Sequence, residues 1–184
     1  MTVHIALLRG VNVGGRKAVA MADLRALAAG LGLTEPRTLL QSGNLVFGAE
    51  GRAGPELETS LETLLETELQ ARLGLESSVM VRGVAEWSAA IAANPFAAKA
   101  AADPGHLLLM ALKAPPASGA LAALRAAIKG PERVELEGRH AWLVYPDGVG
   151  DSRLTNVVIE RRLGVRGTAR NWNTALKLQA LAAG

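Results

Sequence analysis

A basic, glycine-rich stretch near the start of the chain contains the residues best suited to chemistry. Residues 7–17 are LLRGVNVGGRK, between an apolar strand candidate and a helix candidate. Glycines let a backbone turn tightly and point its N–H groups outward, and a helix that follows them adds unpaired N–H donors and a partial positive charge. A phosphate or carboxylate is therefore the ligand we expect at this turn. The candidate binding residues here are Arg9, Gly10, Asn12, Gly14, Gly15, Arg16 and Lys17.

The common nucleotide-binding motifs do not match this stretch. Gly10 and Gly15 have the spacing of the P-loop glycines, but that motif continues with Lys and then Ser or Thr, where this chain has Arg16 and Lys17. No hydroxyl is therefore placed to hold a magnesium ion, and the dinucleotide pattern G-x-G-x-x-G is absent from the sequence. An alternative interpretation stays open, in which the glycines only connect a strand to a helix and the cations are solvated.

Other catalytic chemistry has few candidate residues. The sequence has no cysteine, which excludes disulfides, cysteine nucleophiles and thiolate metal sites. Its three histidines lie at or beside predicted strand ends, and no two have metal-ligand spacing. The serine-hydrolase motif G-x-S-x-G is also absent. We therefore assign no catalytic residue and expect neither a metal nor a cofactor.

The elements that must position the glycine turn follow the order βαββαβ, twice. In the first half, apolar strand candidates alternate with leucine-rich helical patterns, and Ser42-Gly43 is predicted to be a two-residue hairpin connection. Residues 94–105, rich in alanine with two prolines, are predicted to be a linker, after which the order repeats from His106. Such a unit folds most economically as a ferredoxin-like sandwich. We predict an α+β fold with two tandem ferredoxin-like units, residues 1–92 and 106–184, a linker at 93–105 and an extra C-terminal helix.

This topology predicts which residues come together. The first two strands of a unit run parallel, so the turn after strand one and the hairpin after strand two lie at the same edge of the sheet. We therefore add Ser42, Gly43 and Asn44 to the candidate binding residues. The corresponding turn of the second unit, residues 113–116, contains two prolines and no glycine, which indicates a degenerate second site.

A second polar stretch precedes the last predicted helix. Residues 168–174 are TARNWNT, in which Asn171 or Asn173 could cap that helix. A cap needs only one asparagine, so the surplus polar groups keep a binding role open for Arg170, Asn171 and Asn173.

Charge is distributed unevenly along the chain. The helix candidate at residues 55–73 has five glutamates and one arginine, a net charge of −4, which leaves +7 for the rest of a chain whose net charge is +3. Glu58, Glu62 and Glu66 are spaced i,i+4, and we expect them on a solvent-exposed face. The basic remainder could attract nucleic acid, but aromatic residues make up only 3% of the chain and provide few stacking platforms.

Targeting signals are not evident in the sequence. The first residues lack a basic region followed by a cleavable apolar segment, and no apolar run approaches the length of a membrane span. We expect a cytoplasmic protein without a membrane partner, and the sequence predicts no particular oligomeric state.

Several blocks of the sequence resemble a known family. They are LLRGVNVGG at residues 7–15, MADL at 21–24, QSGN at 41–44, NPF at 94–96, SRLTN at 152–156 and TARNWNT at 168–174. Together they resemble the signature blocks of the bacterial domain-of-unknown-function family 1697. The resemblance implies a soluble α+β protein and leaves its activity open.

Three hypotheses about function follow. The leading one is a binding protein for a phosphorylated or otherwise anionic ligand at the glycine turn, with nucleic acid as one such ligand. The second is an enzyme acting on a small polar substrate in a cleft between the two units. The third is an interaction module whose exposed sheet edges pair with another chain.

Overall fold

The computed structural model describes residues 1–15 and 17–184. Its elements, in chain order, are β1 (Thr2–Leu8), α1 (Met21–Gly30), β2 (Thr34–Leu39), β3 (Asn44–Ala49), α2 (Pro55–Leu73), β4 (Val79–Gly83), α3 (Val84–Ala92), α4 (Ala97–Ala102), β5 (Leu107–Leu112), α5 (Ala120–Ala127), β6 (Arg133–Glu137), β7 (His140–Val144), α6 (Asn156–Leu163), β8 (Gly167–Asn171) and α7 (Trp172–Ala183). Among the described residues, no helix is both long and apolar enough to cross a membrane.

The first sheet has the strand order β2-β3-β1-β4, with every neighbouring pair antiparallel. Strands β1 and β2 therefore run in the same direction on either side of β3. One face of the sheet packs against α1 and α2, with Leu8 and Phe47 of the sheet in the same core cluster as Leu24 and Leu65 of the helices. Because side chains alternate along each strand, one face of the sheet is apolar, and the apolar sides of both helices pack on that face to form a single core.

The second sheet repeats this arrangement in the order β6-β7-β5-β8, again antiparallel throughout. Two backbone hydrogen bonds at the end of β1 recur at the end of β5. Leu8 N donates to Gly43 O at 2.8 Å, and Leu112 N donates to Arg139 O at 2.9 Å. The next residue along each strand also donates: Arg9 N to Ser78 O and Lys113 N to Arg166 O, both at 2.9 Å. The predicted α+β fold with two four-stranded antiparallel sheets is confirmed, and its strand order is consistent with a duplicated ferredoxin-like unit.

The chain divides into two compact units, one formed by Met1–Ala89 with Lys177–Gly184 and the other by Ala90–Leu176. Helix α7 is therefore shared, and its second half belongs with the first unit. The stretch predicted to be a linker contains α4 and a 3₁₀ turn at Pro104–His106. Alanine at most positions of 97–102 explains the helix, because alanine has the highest helix propensity.

The hairpin after β2 is longer than expected. Leu39 pairs with Asn44, so the connection has four residues, Leu40 to Gly43, and not the two-residue turn predicted at Ser42-Gly43. Within it, Leu40 and Gly43 have left-handed backbone angles, with φ of 59° and 76°. A short polar stretch in a sequence indicates a turn, but it does not determine how many of its residues pair with the neighbouring strand.

The acidic face of α2 is buried where we expected it to be exposed. Glu58 and Glu62 are 2% and 3% exposed. Their Oε1 atoms accept hydrogen bonds from the main-chain N–H groups of Gly83 and Val81, both at 2.9 Å, and Glu66 accepts from Val79 at 2.7 Å. Four helical residues advance about 6.0 Å and two strand residues about 6.6 Å, so an i,i+4 row of carboxylates matches alternate N–H groups of the edge strand β4.

Candidate functional site

The glycine turn forms an open loop between β1 and α1. Gly10, Gly14 and Gly15 have φ of 67°, 59° and 72°, in the left-handed region that glycine occupies without strain. All three are exposed, and a Cβ built on any of them would meet nothing within 4 Å. The main chain of the loop is therefore accessible to a ligand.

Asn12 fixes the position of this loop. Its side-chain amide donates to Val19 O at 3.0 Å and to Gln41 O at 2.6 Å, while its Oδ1 accepts from Val19 N at 2.9 Å. Its main-chain N–H donates to Lys17 O at 3.1 Å. Asn12 thus holds the loop in position through both amide donors and its oxygen, and its predicted contact with a ligand stays a prediction.

The hairpin after β2 lies against the loop, as the parallel direction of β1 and β2 predicts. A Cβ at Gly43 would be 2.5 Å from Val11 Cγ2 and 2.7 Å from Leu8 Cβ, so only glycine fits this contact. Asn44 is buried and donates to Leu39 O at 2.8 Å and to Ser42 Oγ at 3.0 Å. Gly43 and Asn44 are thus buried within the protein, and Gln41 and Ser42 are the exposed polar residues of the hairpin. That these hairpin residues contact a ligand stays a prediction.

Two of the three predicted cations lie in the described part of the loop. Lys17 is exposed and has a φ of 50°, which is uncommon for a residue with a side chain. Arg9 is half-buried, and its main-chain oxygen accepts from Ser77 Oγ at 3.0 Å. The prediction for Arg16 falls outside the described residues.

Helix α1 does not follow the glycines directly. Residues 17–20 intervene, and the helix begins at Met21 with Ala20 at its N-cap and Asp23 in its first turn. Asp23 already supplies the negative charge that a helix N-terminus favours. The loop N–H groups and the cations, and not the helix terminus, are therefore the features that could hold an anion.

The C-terminal polar stretch belongs to the second unit, and two of its three candidate residues make contacts within the protein. Arg170 is 8% exposed, and its Nη1 donates to Thr168 Oγ1 at 2.8 Å and to Ala169 O at 2.9 Å. Burial lowers the pKa of the Arg170 guanidinium to about 10. Asn171 Oδ1 accepts from Thr174 N at 2.9 Å, which is the helix-capping contact expected from the sequence. Asn173 is exposed.

A separate cavity of about 230 Å³ lies in the second unit and was not predicted from the sequence. Its wall includes Glu132, Tyr145 and Ser152. Ser152 Oγ is hydrogen-bonded to Glu132, and Tyr145 donates to Leu154 O at 2.9 Å. Burial raises the pKa of Tyr145 to about 12. Ser152 Oγ also accepts from Leu154 N at 3.0 Å, so these hydrogen bonds hold the loop before α6.

Metal coordination has no geometric basis in residues 1–15 and 17–184. No group of three His, Asp or Glu side chains in that part of the chain is arranged to hold an ion.

Sequence reasoning also missed two apolar residues at the glycine-loop edge. Val13 is 66% exposed and Leu40 is 53% exposed. Valine and leucine usually occupy buried positions, and no feature of the sequence indicates that Val13 and Leu40 are exposed to solvent.

Comparison with known proteins gives a family and a fold. A solved structure, that of conserved bacterial protein SP0830 from Streptococcus pneumoniae, matches with a TM-score of 0.74 over 98% of each chain, at 21% sequence identity. At that identity the likeness concerns the fold alone. Comparison with curated protein sequences gives no match. The model of the protein family of unknown function DUF1697 matches residues 1–142, and the chain belongs to that family.

Proposed function

We propose that this protein binds a phosphorylated or otherwise anionic small molecule at the edge formed by the glycine loop and the hairpin at residues 40–43. The observation that carries the proposal is the loop itself: Gly14 and Gly15 expose their main chain next to Lys17, and Asn12 holds the loop against the hairpin. Main-chain N–H groups together with lysine or arginine side chains are the usual ligands of phosphate oxygens.

The bracing of the loop supports binding energetically. A loop that must become ordered when its ligand arrives loses conformational entropy, which weakens the affinity. Here the hydrogen bonds of Asn12 with Val19 and Gln41 hold the loop before any ligand is present. Arg9, Arg16 and Lys17 contribute charge, and the exposed Ser42 hydroxyl contributes a hydrogen-bonding group from the hairpin.

Thermal unfolding with and without phosphate tests this proposal. Phosphate should raise the melting temperature of the wild-type protein, because a ligand that binds only the folded state stabilises it. Lys17→Ala should weaken binding by roughly 10- to 100-fold, since a charge-assisted hydrogen bond contributes about 1.5–3 kcal/mol. Arg52→Ala, at another exposed cation of the first unit, is the matched control and should bind as the wild type does. No shift of the wild-type melting temperature at high millimolar phosphate would remove the general phosphate site.

Nucleic acid is a second candidate ligand, favoured by a basic edge of the second unit. The backbone bonds described above bring Lys113, Arg139 and Arg166 together at the strand ends, and Arg161 and Arg162 lie in the last turn of α6. The aromatic side chains other than Phe96 are buried, so recognition would depend on phosphates and not on stacking.

Filter binding across a salt series tests this second candidate. Binding through phosphates should weaken steeply with salt, and the double substitution Arg161→Ala/Arg162→Ala should reduce the slope by about one unit for each phosphate that the variant no longer binds. Binding that is absent at 50 mM salt would exclude it.

A further inference from the structure

The anion site proposed above has apolar side chains beside it. Asn12 donates to Gln41 O at 2.6 Å. Val13, which follows Asn12, and Leu40, which precedes Gln41, therefore lie at the same edge. Val13 is 66% exposed and Leu40 is 53% exposed. Exposed aliphatic side chains on the loop and on the hairpin thus lie at the edge that Asn12 links to Lys17, whose main-chain oxygen accepts from Asn12 N at 3.1 Å.

Leu40 also has a strained backbone. Its φ of 59° lies in the left-handed region, which a side chain disfavours by crowding the following carbonyl. Gly43, in the same four-residue connection, adopts a φ of 76° without that strain. A leucine at position 40 therefore costs the free protein conformational energy and does not become buried. Strained residues of this kind cluster at ligand-binding sites.

We propose that the ligand of the glycine loop is an organic phosphate with an apolar substituent, and that Leu40 and Val13 cover that substituent. This inference depends on the anion site proposed above and specifies its ligand class. The phosphate would contact the loop N–H groups and Lys17, and the substituent would extend toward the hairpin. Two side chains form too small a surface for a protein interface, whereas they suffice for one aryl or short alkyl group.

Calorimetric titration with inorganic phosphate and with phenyl phosphate tests this ligand class. The wild-type protein should bind phenyl phosphate about tenfold more tightly than inorganic phosphate, as expected for partial burial of one apolar group. Leu40→Gly should bind inorganic phosphate with wild-type affinity and should lose most of the tenfold gain. Its melting temperature without ligand should not fall, because the substitution relieves strain at an exposed position.

Glu35→Gly is the matched control. Glu35 is the other exposed non-glycine residue of β2 and its hairpin with a left-handed backbone, at a φ of 46°, and it lies at the end of β2 away from the loop. This variant relieves the same kind of strain and should bind both probes as the wild type does. Val13→Ser gives a second, independent reduction of the apolar surface, and it should lower the affinity for phenyl phosphate only.

The possible outcomes separate the inference from the proposed function. Equal affinity of the wild type for both probes would overturn the apolar subsite and leave the anion site standing. Binding of neither probe would overturn both proposals. A preference for phenyl phosphate that survives in both Leu40→Gly and Val13→Ser would also overturn the inference, because the substituent would then be bound elsewhere.

Discussion

Asn12 and Gln41 join the two chain segments that form the candidate site. The side-chain amide of Asn12 donates to the main-chain oxygen of Gln41 at 2.6 Å, across 29 positions of sequence. The same amide group donates to Val19 O and accepts from Val19 N. One side chain therefore connects the start of the loop, the end of the loop and the hairpin. The shape of the loop therefore depends on a residue that need not contact any ligand.

Replacing Asn12 should destabilise the free protein. Asn12→Ala removes three side-chain hydrogen bonds and places alanine at a φ of 54°, so we expect a loss of roughly 2–4 kcal/mol in the free energy of unfolding. Asn12→Gly removes the same bonds without the backbone strain and should cost less than Asn12→Ala. Urea denaturation measures both. Asn173→Ala, at an exposed asparagine, is the control, and equal stability of all three variants would contradict the positioning role of Asn12.

Glycines of the same site should differ in their tolerance of alanine. Gly43→Ala adds a Cβ at 2.5 Å from Val11 Cγ2 and 2.7 Å from Leu8 Cβ, in addition to left-handed strain, and should cost roughly 2–5 kcal/mol of folding free energy. Gly14→Ala meets no atom within 4 Å and should cost about 1–2 kcal/mol from strain alone. Denaturant midpoints give the comparison. A larger loss for Gly14→Ala would show that the hairpin contact is not tight.

The fold could be predicted from the sequence because its signals are periodic and occur twice. Leu24 in α1 and Leu65 in α2 each belong to a run of apolar residues at helical spacing, and these patterns predict the order of the elements. The rule of right-handed connections then leaves few topologies for that order. The contact between hairpin and glycine loop follows from topology as well. What could not be predicted is how single side chains are used once the elements pack.

Buried polar residues show the physical reason for that limit. Glu62 occupies a position that helical spacing alone assigns to solvent, and only the placement of β4 beside α2 gives its carboxylate a row of N–H partners. Arg170 belongs to a polar stretch that suggested a surface position, yet it is buried, near the end of β8 and opposite Leu109 of β5. Leu40 is likewise exposed and has a left-handed backbone angle, neither of which its residue type predicts.

His4 should make stability depend on pH. It is fully buried, stacks on Phe47 at 5.9 Å between ring centroids, and its Nε2 has no hydrogen-bond partner among the described residues. Burial lowers the pKa of His4 below its ordinary value of 6.5. As the pH falls, His4 therefore takes up a proton in the unfolded chain at a higher pH than in the folded protein. The stability that the neutral, buried His4 contributes is complete above pH 6.5 and is lost progressively below it.

Substitution of His4 isolates that effect. His4→Phe keeps an aromatic ring beside Phe47 and removes the titration, so its unfolding free energy should be flatter than that of the wild type as the pH falls below 6.5. Chemical denaturation at several pH values measures the slope of the unfolding free energy against pH for both proteins. Parallel slopes for His4→Phe and the wild type would show that His4 does not contribute.

Glu62 makes two contacts, and we expect its substitution to destabilise the protein more than substitution of any other carboxylate of α2. Its Oε1 accepts from Val81 N at 2.9 Å and lies 3.7 Å from Nη1 of Arg82, whose side chain is fully buried. Removing Glu62 takes one of two carboxylates from the buried Arg82, which keeps Glu86 at 3.5 Å from its Nε, and it leaves the buried N–H group of Val81 without its acceptor. Glu62→Ala should therefore cost roughly 2–4 kcal/mol of folding free energy, below the full cost of an uncompensated buried charge because Glu86 still faces Arg82.

Glu62→Gln separates these two contributions. Its amide oxygen can still accept from Val81 N, so only the charge facing Arg82 is lost and the cost should be smaller than for Glu62→Ala. Glu56→Ala, on the exposed side of the first turn, is the matched control and should change stability by no more than about 0.5 kcal/mol. Hydrogen exchange reports the contact directly: the Val81 amide should exchange faster in Glu62→Ala than in Glu62→Gln, because only the alanine variant leaves this N–H of the edge strand without its acceptor. Equal exchange in the two variants would mean that the carboxylate row does not protect β4.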